Sequence, residues 1–145
     1  MNLKLLEQKI DSCSKCAIRT SVESNKIYGN MFGSGGNLVM ICGLAPSCIR
    51  GNVSRYTLSR DHVSYTAGTL YKVLDDIKWP IQKTYFTNIM KCSTPENRKP
   101  LKEEIDACFN LWFRQELFSQ NPIAIIALGS YVYDFLKAKE IGTEL

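Results

Sequence analysis

Six cysteines stand at positions 13, 16, 42, 48, 92 and 108 of this 145-residue chain. Four of them have spacings that suit one inorganic centre. Cys13 and Cys16 form a Cys-x2-Cys pair just after a short amphipathic segment. Cys92 ends a strand-like run, and Cys108 follows on a helix-like one with fifteen residues between. Two adjacent ligands plus two from a strand–loop–helix can converge, and four thiolates suit Zn²⁺ or a [4Fe–4S] cluster equally well. Spacing alone does not choose between them. Cys42 ends the apolar run Leu38-Val39-Met40-Ile41-Cys42 and reads as a buried core thiol, while Cys48 reads as a spectator in a polar loop. Disulfides are not expected, because the first nine residues carry charge throughout and lack the apolar stretch of a secretory signal. The cytoplasm is the expected compartment.

Charge supplies the second signal. The net charge is +4, yet residues 47–102 hold ten Lys/Arg against four Asp/Glu, and the remainder is slightly acidic. A contiguous basic stretch is the footprint expected of a polyanion-binding surface. Composition excludes other classes. With 45% hydrophobic and 22% charged residues the chain is neither disordered nor a coiled coil, and no apolar run is long enough to span a bilayer.

The elements that must position these residues alternate. Residues 3–10 read as a short helix, 38–42 as a strand buried on both faces, and 67–77 as a helix with Leu70, Val73, Leu74 and Ile77 on one face. A strand over 84–90, a helix over 101–119 stopped by Asn121-Pro122, a third buried strand over 123–128 and a helix over 130–139 complete the series. Residues 29–37 and 44–65 read as loops. The order implies an α/β fold: three α/β/α layers around a short, mainly parallel sheet of three to four strands. Ligands of such sheets lie beyond the carboxyl ends of the strands. Here those ends are Gly43-Leu44-Ala45-Pro46, Asn88 to Cys92, and Gly129-Ser130.

Over about residues 10–137 the chain resembles the iron–sulfur branch of the uracil-DNA glycosylase superfamily, families 4 and 5. The resemblance is carried by Cys13-x2-Cys16, Gly43-Leu44-Ala45-Pro46, Ala67-Gly68-x-Leu70, Thr87-Asn88-Ile89-Met90-Lys91-Cys92, Asn97-Arg98-Lys99-Pro100 with Glu104 and Cys108, and Pro122 with Leu128-Gly129. Each motif is weak alone; their order and spacing together are specific. The resemblance implies a [4Fe–4S] cluster on Cys13, Cys16, Cys92 and Cys108 with a structural role, zinc being the lesser alternative. It also implies a pocket for a base flipped out of DNA.

Such an enzyme cleaves the bond between the sugar C1′ and uracil N1 through an oxocarbenium-like transition state, and needs hydrogen-bond donors aimed at the departing base. The resemblance makes Asn88 the residue that reads the base, since an amide offers both a donor and an acceptor. Gly43, Leu44, Ala45 and Pro46 would line the substrate site, with Tyr65 as a stacking partner. Arg50, Arg55, Arg60, Arg98 and Lys99 would follow DNA phosphates. The sequence departs from the family at several points. Leu44 stands where many family 4 members carry an acidic residue, Ser64-Tyr65-Thr66 holds no carboxylate, and Val63 stands nearest the position of a stacking Phe. Asp61 and His62, the latter the only histidine, are the stand-ins for catalysis.

The expectation is therefore one uracil-DNA glycosylase-like domain over 1–145, cut short before the family's fourth strand and its His-Pro-Ser motif. It would bind single-stranded or uracil-containing DNA and hydrolyse the N-glycosidic bond. The alternative is a catalytically inactive iron–sulfur accessory module of a replication or repair assembly. Without a fourth strand the third would present an open edge, where a protein partner could dock.

Overall fold

The computed structural model describes residues 2–20, 29–31, 37–47, 56–60 and 64–142. In chain order the elements are α1 (Leu3–Asp11), β1 (Asn30–Met31), β2 (Val39–Gly43), α2 (Tyr65–Asp76), β3 (Thr84–Asn88), α3 (Lys102–Cys108), α4 (Arg114–Gln120), β4 (Ala124–Ala127) and α5 (Ser130–Ala138). The strands form one sheet in the order β1-β3-β2-β4. β2 runs parallel to both β3 and β4, with Ile41 opposite Phe86 and Ile126. β1 adds two antiparallel residues beyond β3, inside a segment that reads as loop from sequence. The mainly parallel α/β fold is as expected.

The two-residue period of the strands sorts the core into layers. Ile41 and Phe86 face α2 and pack with Ala67, Tyr71 and Leu74. Met40, Cys42 and Tyr85 face the other way and join Ile105, Phe109, Phe113, Val132 and Leu136 from the later helices. Cys42 is a core thiol, as expected, and burial pushes it up to about 12.

Local signals set the helix limits. Asn2 and Ser64 cap α1 and α2 by accepting from the Lys4 and Ala67 backbone N–H groups. Asn121 ends α4 in the left-handed conformation (φ 42°) just before Pro122. Three expectations need correction. The helix expected over 101–119 is not uniform: Phe109–Phe113 is a π-helical stretch between α3 and α4. Val73 and Ile77 lie exposed rather than on the buried face of α2, because that face is the one carrying Ala67, Tyr71 and Leu74, which packs on Ile41 and Phe86. The third strand is not buried: Ile123 is 66% and Ile126 42% exposed, since β4 is the sheet's edge among the described residues. No helix of the described residues is long and apolar enough to cross a membrane.

The loop before α3 is closed by Glu104. Its carboxylate takes both guanidinium nitrogens of Arg98 at 2.7 and 2.9 Å and accepts from the Leu101 backbone N–H at 2.7 Å. The Arg98 hydrogen bonds, followed by the one from Leu101, hold this carboxyl below its ordinary range against the opposing effect of burial. A carboxyl depressed in the folded state stabilises above its unfolded value, and that stability is lost as pH falls through the folded one. Replacing Glu104 by Gln is expected to cost about 1–2 kcal/mol at neutral pH, after discounting for the partly exposed Arg98. The gap from wild type should narrow as pH drops below about 4.3, the ordinary glutamate value. Urea melts of both proteins at pH 7 and pH 3 check this.

Candidate functional site

β2 and β3 end side by side, with Gly43 opposite Asn88. The chain beyond them stays paired, as Ile89 and Met90 donate to the Gly43 and Leu44 carbonyls at 3.0 and 2.9 Å. Asn88 lies on the α2 side of the sheet, and its Oδ1 lies against Gly43. A Cβ at position 43 would stand 2.4 Å from that oxygen, so only glycine leaves room for the amide. Asn88 Nδ2 donates to Thr57 Oγ1 at 3.2 Å.

The segment carrying Thr57 is held from α2. Tyr71 Oη donates to the Leu58 carbonyl at 2.6 Å, and Arg60 pairs with Asp75 while stacking over the Tyr71 ring. Leu58 takes the left-handed conformation (φ 52°), unfavourable for a branched side chain and tolerated at this anchored turn. Its neighbour's hydroxyl thereby reaches the amide. Thr57 went unnoticed in the sequence because a lone threonine in a polar loop carries no signal.

Other site candidates have mixed placements. Leu44 and Ala45 are half-buried against the larger core and Pro46 is buried, so this turn is fixed by packing. Tyr65 begins α2 and is 91% exposed. Arg60 and Arg98 are committed to Asp75 and Glu104, and Lys99 lies over the exposed Tyr131 ring at 5.7 Å. Asp61, His62, Arg50 and Arg55 lie outside the described residues, as does Cys48.

The cysteine quartet occupies the opposite flank. Cys108 is buried on α3 and its Sγ accepts from the Lys91 backbone N–H at 3.2 Å. Burial pushes this thiol up to about 12, opposed by the Lys91 ammonium and that N–H, while Cys92 and Cys13 lie within electrostatic reach. Cys16 and Cys92 pack against the same core cluster as Cys108. The donors therefore fit a soft metal centre in kind and share one neighbourhood. Among the described residues, however, no three of His, Cys, Asp or Glu stand as a closed ligand set.

Between the quartet and Asn88 lies a feature that sequence reasoning passed over. Lys91 and Glu116 are each 1% exposed and paired at 2.5 Å. Tyr85 Oη and Thr87 Oγ1 also donate to the Glu116 carboxylate, at 2.9 and 3.0 Å. Burial first, then the carboxylate, pushes the Tyr85 phenol well up, so it remains a donor. A signal was present: Glu116 falls seven residues after Phe109 and three after Phe113, on the apolar stripe of its helix, where a carboxylate needs a buried partner.

Comparisons with known proteins place the chain in a family. The family profile described as "Uracil DNA glycosylase superfamily" matches residues 32–144. A type-4 uracil-DNA glycosylase of Pyrobaculum aerophilum is 31% identical over 129 residues, covering 89% of this chain and 61% of its own length. The type-5 uracil-DNA glycosylase of the same organism is 28% identical over 148 positions (86% and 65%). A type-4 enzyme of Saccharolobus solfataricus is 27% identical over 139 (95% and 60%). The chain thus spans about three fifths of the length of these relatives. The matched region takes in β2, β3 and β4 with the adjoining strand ends at Gly43 and Asn88, and on that basis the chain belongs to the uracil-DNA glycosylase superfamily.

Proposed function

We propose that the chain binds DNA and hydrolyses the N-glycosidic bond of a uracil turned out of the strand into the Gly43–Asn88 crevice. The observation that carries this is the amide of Asn88 at the carboxyl end of the sheet, against a glycine and bonded to one hydroxyl. An amide there matches the O4 and N3–H edge of uracil, donating from Nδ2 and accepting at Oδ1. Thr57 Oγ1 accepts from the same nitrogen, so it stands in for a substrate carbonyl until the base enters.

As the C1′–N1 bond breaks, negative charge spreads over the uracil ring and the Asn88 N–H opposes it. Gly43 admits the base edge close to the backbone, and the packed turn from Leu44 to Pro46 keeps that edge from sliding. Water completes the hydrolysis by adding to C1′. Leu44 cannot orient it, which leaves Asp61 and His62 as the candidates. Tyr65 stacks on an unpaired base, and Arg50, Arg55, Arg60, Arg98 and Lys99 lie along phosphates. Cys13, Cys16, Cys92 and Cys108 would hold a [4Fe–4S] cluster, whose contribution is structural. Its ligands come from the segment after α1, the segment after β3 and α3, so it would tie the amino-terminal segment to the middle of the fold.

Release of free uracil from a single-stranded uracil-containing oligonucleotide tests the activity. Asn88→Ala is expected to lower kcat about 10²–10³-fold, in line with the removal of one transition-state donor, while binding of uracil-free DNA stays within about threefold. Wild-type protein that binds DNA and releases no base would instead support the accessory reading, to which Leu44 already points.

Iron and acid-labile sulfide assays test the cluster. About four of each per chain are expected, with broad brown absorbance near 400 nm that bleaches on reduction. Cys108→Ser should lose most of both. A colourless protein carrying one zinc would replace the cluster with the lesser alternative.

A further inference from the structure

Lys91 takes no part in the chemistry above, yet it is among the most completely buried side chains in the protein. Its ammonium touches three oxygens: Glu116 Oε2 at 2.5 Å, Thr87 Oγ1 at 2.8 Å and the backbone carbonyl of Asn88 at 2.5 Å. Its backbone N–H donates to Cys108 Sγ. The Phe113 ring lies 5.5 Å from the ammonium. One residue thus grips the carbonyl of the base-reading asparagine, the helix that follows the π-helical stretch, and the thiol wall.

The geometry points to Lys91 as a positioning residue for Asn88, acting through the Asn88 carbonyl with Glu116 as its clamp. The inference rests on the reading of the crevice given above. The β2–β3 ladder ends at Gly43–Asn88, and past it the backbone is tied across by the Ile89 and Met90 hydrogen bonds to the Gly43 and Leu44 carbonyls. A peptide at the end of a strand can rock about its long axis. A fixed cation on its carbonyl removes that freedom and with it the swing of the Asn88 side chain. A stabilising role alone does not explain the choice of residues, because a buried ion pair seldom contributes more than apolar side chains of the same volume.

That comparison supplies the test. The double variant Lys91→Met/Glu116→Gln removes both charges, leaves the net charge unchanged and keeps an amide oxygen as acceptor for the buried Tyr85 and Thr87 hydroxyls. It is expected to melt within a few degrees of wild type. Amide exchange at Ile89 and Met90 should quicken about tenfold or more, while Tyr85 and Phe86 in the body of β3 keep their protection. Release of uracil should slow about 10–100-fold in kcat, with KM for the oligonucleotide within about threefold, since small misplacements cost reaction rate more than binding. A folded double variant in which Ile89 and Met90 exchange at the wild-type rate, or in which kcat stays within twofold, overturns the proposal. Should the double variant fail to fold, Lys91→Met decides: it removes the ammonium alone, leaves Glu116 its hydrogen bonds from Tyr85 and Thr87, and is expected to give the same split between kcat and KM at about 3–10-fold. Wild-type protein that releases no uracil sinks the reading of the crevice instead, and the exchange measurement then judges the grip of Lys91 alone.

Discussion

The alternation of side chains along β3 is the constraint on which the rest of the structure depends. Thr84, Phe86 and Asn88 point to the α2 side; Tyr85 and Thr87 point to the side of α3, α4 and α5. On the first side Phe86 meets Tyr71 and Ile41, and one step further along the strand Asn88 meets Gly43 and Thr57. On the second, Tyr85 and Thr87 both reach Glu116. A slip of one residue in the β2–β3 register would put the amide among the phenylalanines and a threonine in the crevice. The burial of all five β3 residues makes such a slip prohibitive, so the core that stabilises the fold also fixes which face the amide occupies.

The two faces meet again just past the strand. Lys91 leaves the chain where pairing has ended and returns its ammonium to the second face, beneath Asn88. Two fully buried opposite charges carry a large desolvation cost, offset only when every donor and acceptor is used. Here Glu116 receives Tyr85, Thr87 and Lys91, and Lys91 in turn reaches Thr87 and the Asn88 carbonyl. A network so nearly saturated tolerates few alternative packings. It also shares its location with Cys108, whose sulfur receives the Lys91 N–H, so the Cys108 thiol and the Asn88 strand end draw on one set of contacts.

Much of this was legible in the chain. The apolar runs at 38–42 and 84–90 and the helical periodicities gave the layer order, and the motif Thr87 to Cys92 marked both the amide and a thiol. Other features rest on long-range geometry that local pattern does not encode. Thr57 matters because Leu58 is turned into a left-handed conformation by contacts with α2, thirteen residues away at Tyr71. β4 has the apolar composition of a central strand, and composition cannot say that nothing among the described residues lies beyond it. Val73 and Ile77 satisfied the helical spacing with Leu70 and Leu74, and it took the sheet and the Leu58 carbonyl to show that α2 turns Tyr71 inward instead. Glu116 was visible as an anomaly on an apolar stripe, and its meaning required the partner from β3.

The distribution of charge shows why a count of basic residues is a poor guide to where DNA would lie. The stretch from 47 to 102 carries the chain's basic excess, yet four of its cations are paired internally: Arg60 with Asp75, Arg98 with Glu104, Lys91 with Glu116 and Lys102 with Asp106. A cation beside a carboxylate contributes little to the field a few ångströms out. Arg60 and Arg98 remain partly exposed and can still donate to phosphate, but they do so as fixed, oriented donors rather than as sources of long-range attraction. The paired arginines instead hold their own segments in shape, Arg60 tying the Thr57 segment to α2 and Arg98 closing the loop before α3.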